Sequence, residues 1–358
     1  MSFRSPSPRA HQNWSTLSDR GRFGALAWAA RYLTQRPALV RSLGEGVLRV
    51  GHGLRHQRPP GRRRGVYVDE PALLVVVDRK IPKARAASRA PGALVPRWVE
   101  LRLPVGRRRI LVALPTDVQE GRKLPRAQAR QTQGIRARPA GPGSKVDGVA
   151  CALVRRSGKL YILGCHHVIL RSLVTPGATP DLAAQIFDVP SAASEKLLGI
   201  PSDAAVFGPG VPASLDAALA QVEPAAIPIV SSPTFWSARP NSWARTLDDV
   251  LDAAAGGFNL FSRGGKMIAL KLVGHFFNQP VGYGGGTSVE IAEVLVLVVA
   301  DSSQPAPMAG DSGATVMAGN GMLVGMHIAG IPNEGKGYAI PSYQLLDGPA
   351  FDPPVTLA

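Results

Sequence analysis

The chain has 358 residues, of which 45% are hydrophobic and 18% charged; that builds a sizeable core and excludes wholesale disorder. Its 39 Gly and 32 Pro are too many for a helical bundle and suit short strands joined by turns. The net charge of +16 is uneven: residues 1–145 hold 30 Lys/Arg against 8 Asp/Glu, a balance of +22, whereas residues 146–358 hold 11 against 17, a balance of −6.

In chain order, residues 1–18 read as disordered, rich in Ser, Pro and Arg. Phe23, Leu26, Ala30 and Leu33 then recur at near-helical spacing, with Ser18 or Asp19 as a cap and Pro37 as a stop; a second short helix fits 38–50. Residues 51–65 read as a basic loop, which completes a first segment over 1–65. A small strand-rich module follows over 66–121, with strands at 72–77, 99–103 and 110–114. Residues 122–145, polar, basic and rich in Pro and Gly, read as a linker. Residues 146–358 predict an all-β domain with strands at 149–155, 159–164, 216–222, 266–274, 290–299, 313–318, 322–328 and 336–340. Ser157-Gly158, Gly264-Gly265 and Asn320-Gly321 supply hairpin turns, and helices are confined to 245–254 and 341–347.

No run of about 18 apolar residues exists, which excludes a transmembrane helix. The N-terminal apolar patch is broken by Arg31 and lacks a small-residue cleavage site, so the expected location is cytoplasmic. The two cysteines, Cys151 and Cys165, make no disulfide framework. Buried reduced thiols are the expectation there, and a bridge across the first hairpin is the alternative in an oxidising compartment.

Three weak signals carry chemistry. Gly310-Asp311-Ser312-Gly313 is a sharp turn able to present a hydroxyl, with the N–H groups of Gly310 and Ser312 aimed at a developing oxyanion. By itself it is equally a polar β-turn. His166-His167 ends a strand, where a histidine sits on rigid backbone; by itself a His-His pair is more often a surface or satisfied pair, or a weak metal site, than a catalytic base. Asp216 stands just ahead of an alternating apolar strand, and alone it is an ordinary strand-entry residue. Together they give the order His, Asp, Ser at separations of 49 and 96 residues, the pattern of a nucleophilic triad. Asp203, whose strand runs into Gly208-Pro209-Gly210, competes less well for the carboxylate role.

On these motifs residues 146–358 resemble the chymotrypsin-fold, trypsin-like serine proteases, and more closely their disulfide-poor bacterial branch. The resemblance rests on His167 with Val168 following, the Asp216-x-Ala-Leu strand and Gly310-Asp311-Ser312-Gly313. It departs in having His166 where the family often has Asn or Ala, and a cysteine before rather than after the histidine. It implies a double six-stranded β-barrel, preceded here by a basic mixed α/β extension, and peptide-bond hydrolysis through an acyl-enzyme. His167 is then the general base, Asp216 its orienting carboxylate and Ser312 the nucleophile, with Gly310 and Ser312 forming the oxyanion hole and no metal or cofactor required.

The resemblance also places a substrate pocket at Ala306, Pro307, His327 and Ile328. Ala306 stands where a trypsin-like pocket has its Asp, so a preference for basic residues lacks its counter-charge. His327, 15 residues after Ser312, is similar to the pocket histidine of glutamyl endopeptidases, although Pro307 replaces that subfamily's hydroxyl residue; otherwise it is a wall or core histidine. The basic part suits nucleic acid, anionic lipid or an acidic partner, and reads first as a pro-segment or recruiting module. Two functions follow: an active serine endopeptidase acting on proteins or peptides, or a protease-fold binding protein with a vestigial triad.

Overall fold

The computed structural model describes residues 6–57, 65–81, 94–105, 108–121, 123–127, 134–138, 146–170, 185–191, 194–232, 235–236, 238–262, 267–283, 286–301, 304–307, 310–348 and 350–358. They form two compact units, Met1–Lys123 with Val273–Phe277, and Leu124–Leu272 with Asn278–Ala358.

The first unit packs helices on a sheet. Helix α1 (Pro8–Ser15) forms where disorder is expected from composition, capped by the Ser7 hydroxyl. Helix α2 (Asp19–Thr34) starts at Ser18, whose hydroxyl accepts from the Gly21 N–H, satisfying one of the orphan donors of a first turn. Leu26, Ala29, Ala30 and Leu33 are fully buried, the i, i+3, i+4, i+7 stripe of a helix lying on a core. Helix α3 covers only Pro37–Arg41. The expected helix over 38–50 and basic loop over 51–65 give way to strand β1 (Val47–Gln57). It pairs with β2 (Val66–Val77), and β2 with β4 (Arg108–Glu120), which pairs in turn with β3 (Trp98–Val105). Residues 273–277 complete the sheet on the other side of β1. The α2 stripe meets Val50, Leu73, Val75, Val77, Val99 and Leu114. The segments 1–65 and 66–121, separate in composition, are therefore one unit.

The second unit is built mainly of strands, with short helices that include Leu247–Ala254 and Ser342–Leu345 near the two places expected from the sequence. Its first sheet runs β19-β7-β8-β11-β10-β9-β5-β6, with β5 Gly134–Arg138, β6 Val146–Gly148, β7 Ala152–Arg156, β8 Lys159–Gly164, β9 Gln185–Ser191, β10 Ser194–Ala204, β11 Ala218–Val222 and β19 Thr356–Leu357. Residues 122–145 are thus no simple linker, since β5 lies inside this sheet, paired with β9. The β7–β8 hairpin turns at Ser157 and Gly158, both at positive φ (49° and 78°), as a primed two-residue turn requires.

Besides β12 (Ser242–Trp243), a short strand beside β17, the other strands are β13 (Phe258–Phe261), β14 (Met267–Gly282), β15 (Ser288–Val299), β16 (Thr315–Ala318), β17 (Met322–Ile331) and β18 (Lys336–Pro341). They pair in the order β13-β16-β17-β18-β15-β14, and β13 also pairs with β14. The six strands close a ring around Phe258, Leu260, Ile268, Leu270, Leu295, Leu297, Val316, Val324 and Ala339. Among the described residues, then, one of the two expected barrels closes and the other sheet is an open path. A turn at Gly321 (φ 85°) joins β16 to β17, whereas Gly264-Gly265 lies outside the described residues. No helix of the described residues is long and apolar enough to cross a membrane.

Candidate active site

His167 sits one turn beyond β8, in the short helix His166–Ile169. Asp216 precedes β11, whose Ala218 lies opposite Gly164 at the end of β8. That register brings the two together: Asp216 Oδ2 is 2.7 Å from His167 Nδ1, and its Oδ1 accepts the His167 backbone N–H at 3.1 Å. Tyr283 adds a third bond, its hydroxyl donating to Oδ2 at 2.9 Å. The carboxylate is fully buried. Burial alone would raise its pKa, but the charge and hydrogen bond of His167, helped by His166, hold it below the ordinary value. Asp203, the competing carboxylate, is turned to Arg156 in an ion pair.

Ser312 lies on the predicted turn. Gly310 and Gly313 have φ of 94° and 92°, the left-handed region that favours glycine, and a Cβ at Gly313 would overlap the Val149 carbonyl oxygen. The turn is anchored by Val149 N–H donating to Ser312 O and Gly313 N–H donating to His327 O, both at 2.8 Å. Ser262 Oγ donates to Asp311 at 2.6 Å. Neither the Gly310 nor the Ser312 N–H donates to a backbone carbonyl among the described residues.

Two contacts join this turn to the imidazole–carboxylate pair. Gly148 is wedged between them: a Cβ there would stand 2.7 Å from Val168 Cγ1 and 2.8 Å from Ser312 O. Cys165 Sγ belongs with His167 and Asp216 in a cluster whose polar atoms all lie within 4.8 Å, and it donates to the same His327 carbonyl at 3.5 Å. This trio has the composition of a metal site, but the Cys165 thiol, both Asp216 oxygens and His167 Nδ1 are engaged in protein hydrogen bonds. Burial, reinforced by the Asp216 charge, also drives the Cys165 thiol well above its ordinary pKa, against the thiolate a metal needs. Both cysteines are free and buried, and burial pushes Cys151 up to about 12.

The serine and histidine are not hydrogen-bonded to each other. Ser312 Oγ donates to Ile328 O at 3.2 Å, and His167 Nε2 has no partner among the described residues. Ser312 is only 2% exposed, where the sequence suggests a presented hydroxyl.

Of the pocket residues expected from the sequence, Pro307 and His327 line a recess beside Ser312, together with Arg126, Ala329, Gly330 and Pro332. Neither Ala306 nor Ile328 is among these lining residues; Ile328 instead accepts the Ser312 hydroxyl at its carbonyl. The recess, about 10 Å³, admits about one water. His327 is buried, with Nδ1 unpartnered among the described residues. Burial lowers its pKa to about 4, with Asp311 opposing and His167 assisting, so it offers no cation to an acidic side chain at neutral pH. His166 is likewise lowered to about 4, chiefly by burial, and its ring packs on Phe207 with centroids 4.5 Å apart.

Sequence reasoning misses Tyr283, whose ring also meets His167 edge-on at 5.4 Å. It lies 67 residues from Asp216, and only the ring of strands brings it there. It misses Arg126 for the same reason.

No family model matches the chain, and no curated protein does. Solved structures similar to it are chymotrypsin-fold serine proteases. One is a glutamic-acid-specific serine protease said to use a histidine triad in substrate binding, 14% identical, covering 63% of this chain and 99% of its own, with a TM-score of 0.40. A second is the active form of the Rv3671c protease of M. tuberculosis, at 15% identity, 61% and 85% coverage and a TM-score of 0.35. A third is the alpha-lytic protease homolog N4, at 13%, 58% and 91%, and 0.34.

Proposed function

We propose that the second unit is a serine endopeptidase acting on protein or peptide substrates through His167, Asp216 and Ser312. The observation that carries this reading is the His167–Asp216 pair: Nδ1 is engaged at 2.7 Å by a buried carboxylate while Nε2 is left without a partner among the described residues. That is the state of an imidazole able to accept a proton at Nε2. Ser312 Oγ, released from the Ile328 carbonyl, gives its proton to Nε2 as it attacks the substrate carbonyl carbon, and His167 returns that proton to the leaving amine. Water then repeats the sequence on the acyl-enzyme. Asp216 fixes the tautomer and stabilises the imidazolium without taking the proton. The Gly310 and Ser312 N–H groups receive the oxyanion; loss of one such donor elsewhere costs about 3–4 kcal/mol of barrier.

The second reading, a binding protein with an idle triad, draws on the burial of Ser312 and its bond to Ile328. A fluorophosphonate probe separates the two. Under the first reading it labels the full chain at Ser312, and labelling disappears in Ser312→Ala and His167→Ala. A folded protein that neither labels nor cleaves a peptide library supports the second.

A further inference from the structure

We propose that Leu124–Ala127 lies in the groove that holds an extended substrate backbone, so that the chain covers its own nucleophile in cis; this rests on the reading of Ser312 as that nucleophile. Beyond His327, one edge of β17 is taken by β18, with Ala329, Gly330 and Ile331 opposite Tyr338, Gly337 and Lys336. The other edge has lost its strand partner, because β16 reaches only to Met326 in the register. An open edge is a template for any extended chain, and here it stands beside Ser312, whose hydroxyl bonds to Ile328 on that same strand.

Arg126 fills this edge. Its N–H donates to Gly330 O at 3.1 Å and its carbonyl accepts the Gly330 N–H at 3.2 Å, a reciprocal antiparallel pair. On the segment's other side Ala127 N–H donates to Gly282 O and Gly282 N–H donates to Pro125 O, both at 2.9 Å. All four bonds are main chain to main chain, the means by which a groove grips a polypeptide whatever its side chains. In an antiparallel pair each step forward on one strand is a step back on the other, so the chain leaving Arg126 is directed from Gly330 towards Ile328 and the serine. Arg126 walls the recess that Ser312 lines, and Pro125 is buried. Being tethered, the segment competes at an effective concentration that a free peptide seldom reaches.

The test uses the full chain. Arg126→Pro with Ala127→Pro removes the N–H groups that bond to Gly330 and Gly282 and leaves the triad untouched. Labelling of Ser312 by a peptidyl phosphonate long enough to use the edge is expected to accelerate at least tenfold, and labelling by a small fluorophosphonate to accelerate less. Equal rates for the peptidyl probe in wild type and variant overturn the proposal. A chain that labels with neither probe overturns the nucleophile reading instead, and amide hydrogen exchange then decides on the groove itself. The Gly330 and Gly282 N–H groups should exchange faster in the variant and slow again on saturation with capped Leu-Pro-Arg-Ala; no renewed protection sinks the proposal. Exchange along β16 and β18 controls for folding. Should the prolines unfold it, Arg126→Gly with Ala127→Gly loosens the segment by chain entropy alone, and is expected to act in the same direction with a smaller gain.

Discussion

Each unit sets a histidine against a buried titratable side chain at almost the same distance. In the first, His52 Nε2 is 2.8 Å from His275 Nδ1; in the second, His167 Nδ1 is 2.7 Å from Asp216. Burial, with His275 adding to it, drives the His52 pKa well below its ordinary value, so no charge faces His275 from that ring at neutral pH. Asp216 is buried too, yet His167 keeps it ionised, and an ionised partner stabilises an imidazolium when one forms. What faces an imidazole, more than the length of its bond, decides whether an imidazolium would be stabilised there. The contrast extends to whole units: the first buries His52, Thr116, Asp117 and His275, whereas the second buries Asp216 against His167 and sets Ser262, Asp311, Ser312 and His327 around one turn.

The largest way to break that contrast is to remove the charge and keep the shape. Asp216→Asn places a neutral amide against His167 and favours the wrong tautomer. The labelling rate of Ser312 should fall by about 10³–10⁴-fold, by analogy with triads where this exchange has been made, with unchanged circular dichroism. His275→Gln should leave the labelling rate as it is. Equal losses in the two variants would erase the distinction.

Much of the second unit was legible because its chemistry and its turns are local. The glycines around Ser312, the alternating strand after Asp216 and the Ser157-Gly158 hairpin all announce themselves within ten residues. The failures are long-range or main-chain. Strand β1 reads as a loop because Gly51 and Gly53 interrupt its pattern, yet they are there because another strand presses on them: a Cβ at Gly51 would stand 2.6 Å from His275 O, and one at Gly53 2.5 Å from Gly274 Cα. Residues 124–127, Leu-Pro-Arg-Ala, read as linker because they lie in a basic stretch rich in Pro and Gly, and side chains say nothing about where backbone N–H groups bond. In β9 and β10, Pro190, Gly199 and Pro201 break the alternation and disguise strands that only their neighbours stabilise.

His52 lies well below the unfolded value of about 6.5 and His166 and His327 near 4, so below pH 6.5 the unfolded chain binds protons that the folded chain refuses. Stability is therefore full above that pH and declines as pH falls towards 4, by about 1.4 kcal/mol per pH unit for each such histidine. Urea titrations between pH 7 and 4.5 should give a shallower acid limb for His52→Phe and for His327→Asn, each by about one proton. Asp216, with its pKa depressed, adds its own loss only below the ordinary carboxylate range. A limb unaltered by either substitution would mean that these imidazoles are protonated in the fold.

The smallest effect tests the structural half of the comparison most directly. His275→Ala strips His52 Nε2 of its partner at a site only 1% exposed, which should cost about 1–3 kcal/mol for an orphaned buried polar group. Replacing both rings together, His52→Phe with His275→Leu, removes the orphan along with the bond, and most of that loss should return in the same urea titration. Labelling of Ser312 should be unchanged in both. Under the proposed function the corresponding joint replacement of His167 and Asp216 offers no such recovery of labelling, because there the pair is to supply a base and a charge rather than a satisfied interior. A His52/His275 double variant as unstable as the single one would show that the pair contributes through specific packing, and a loss of labelling would show that it does more than hold its own sheet.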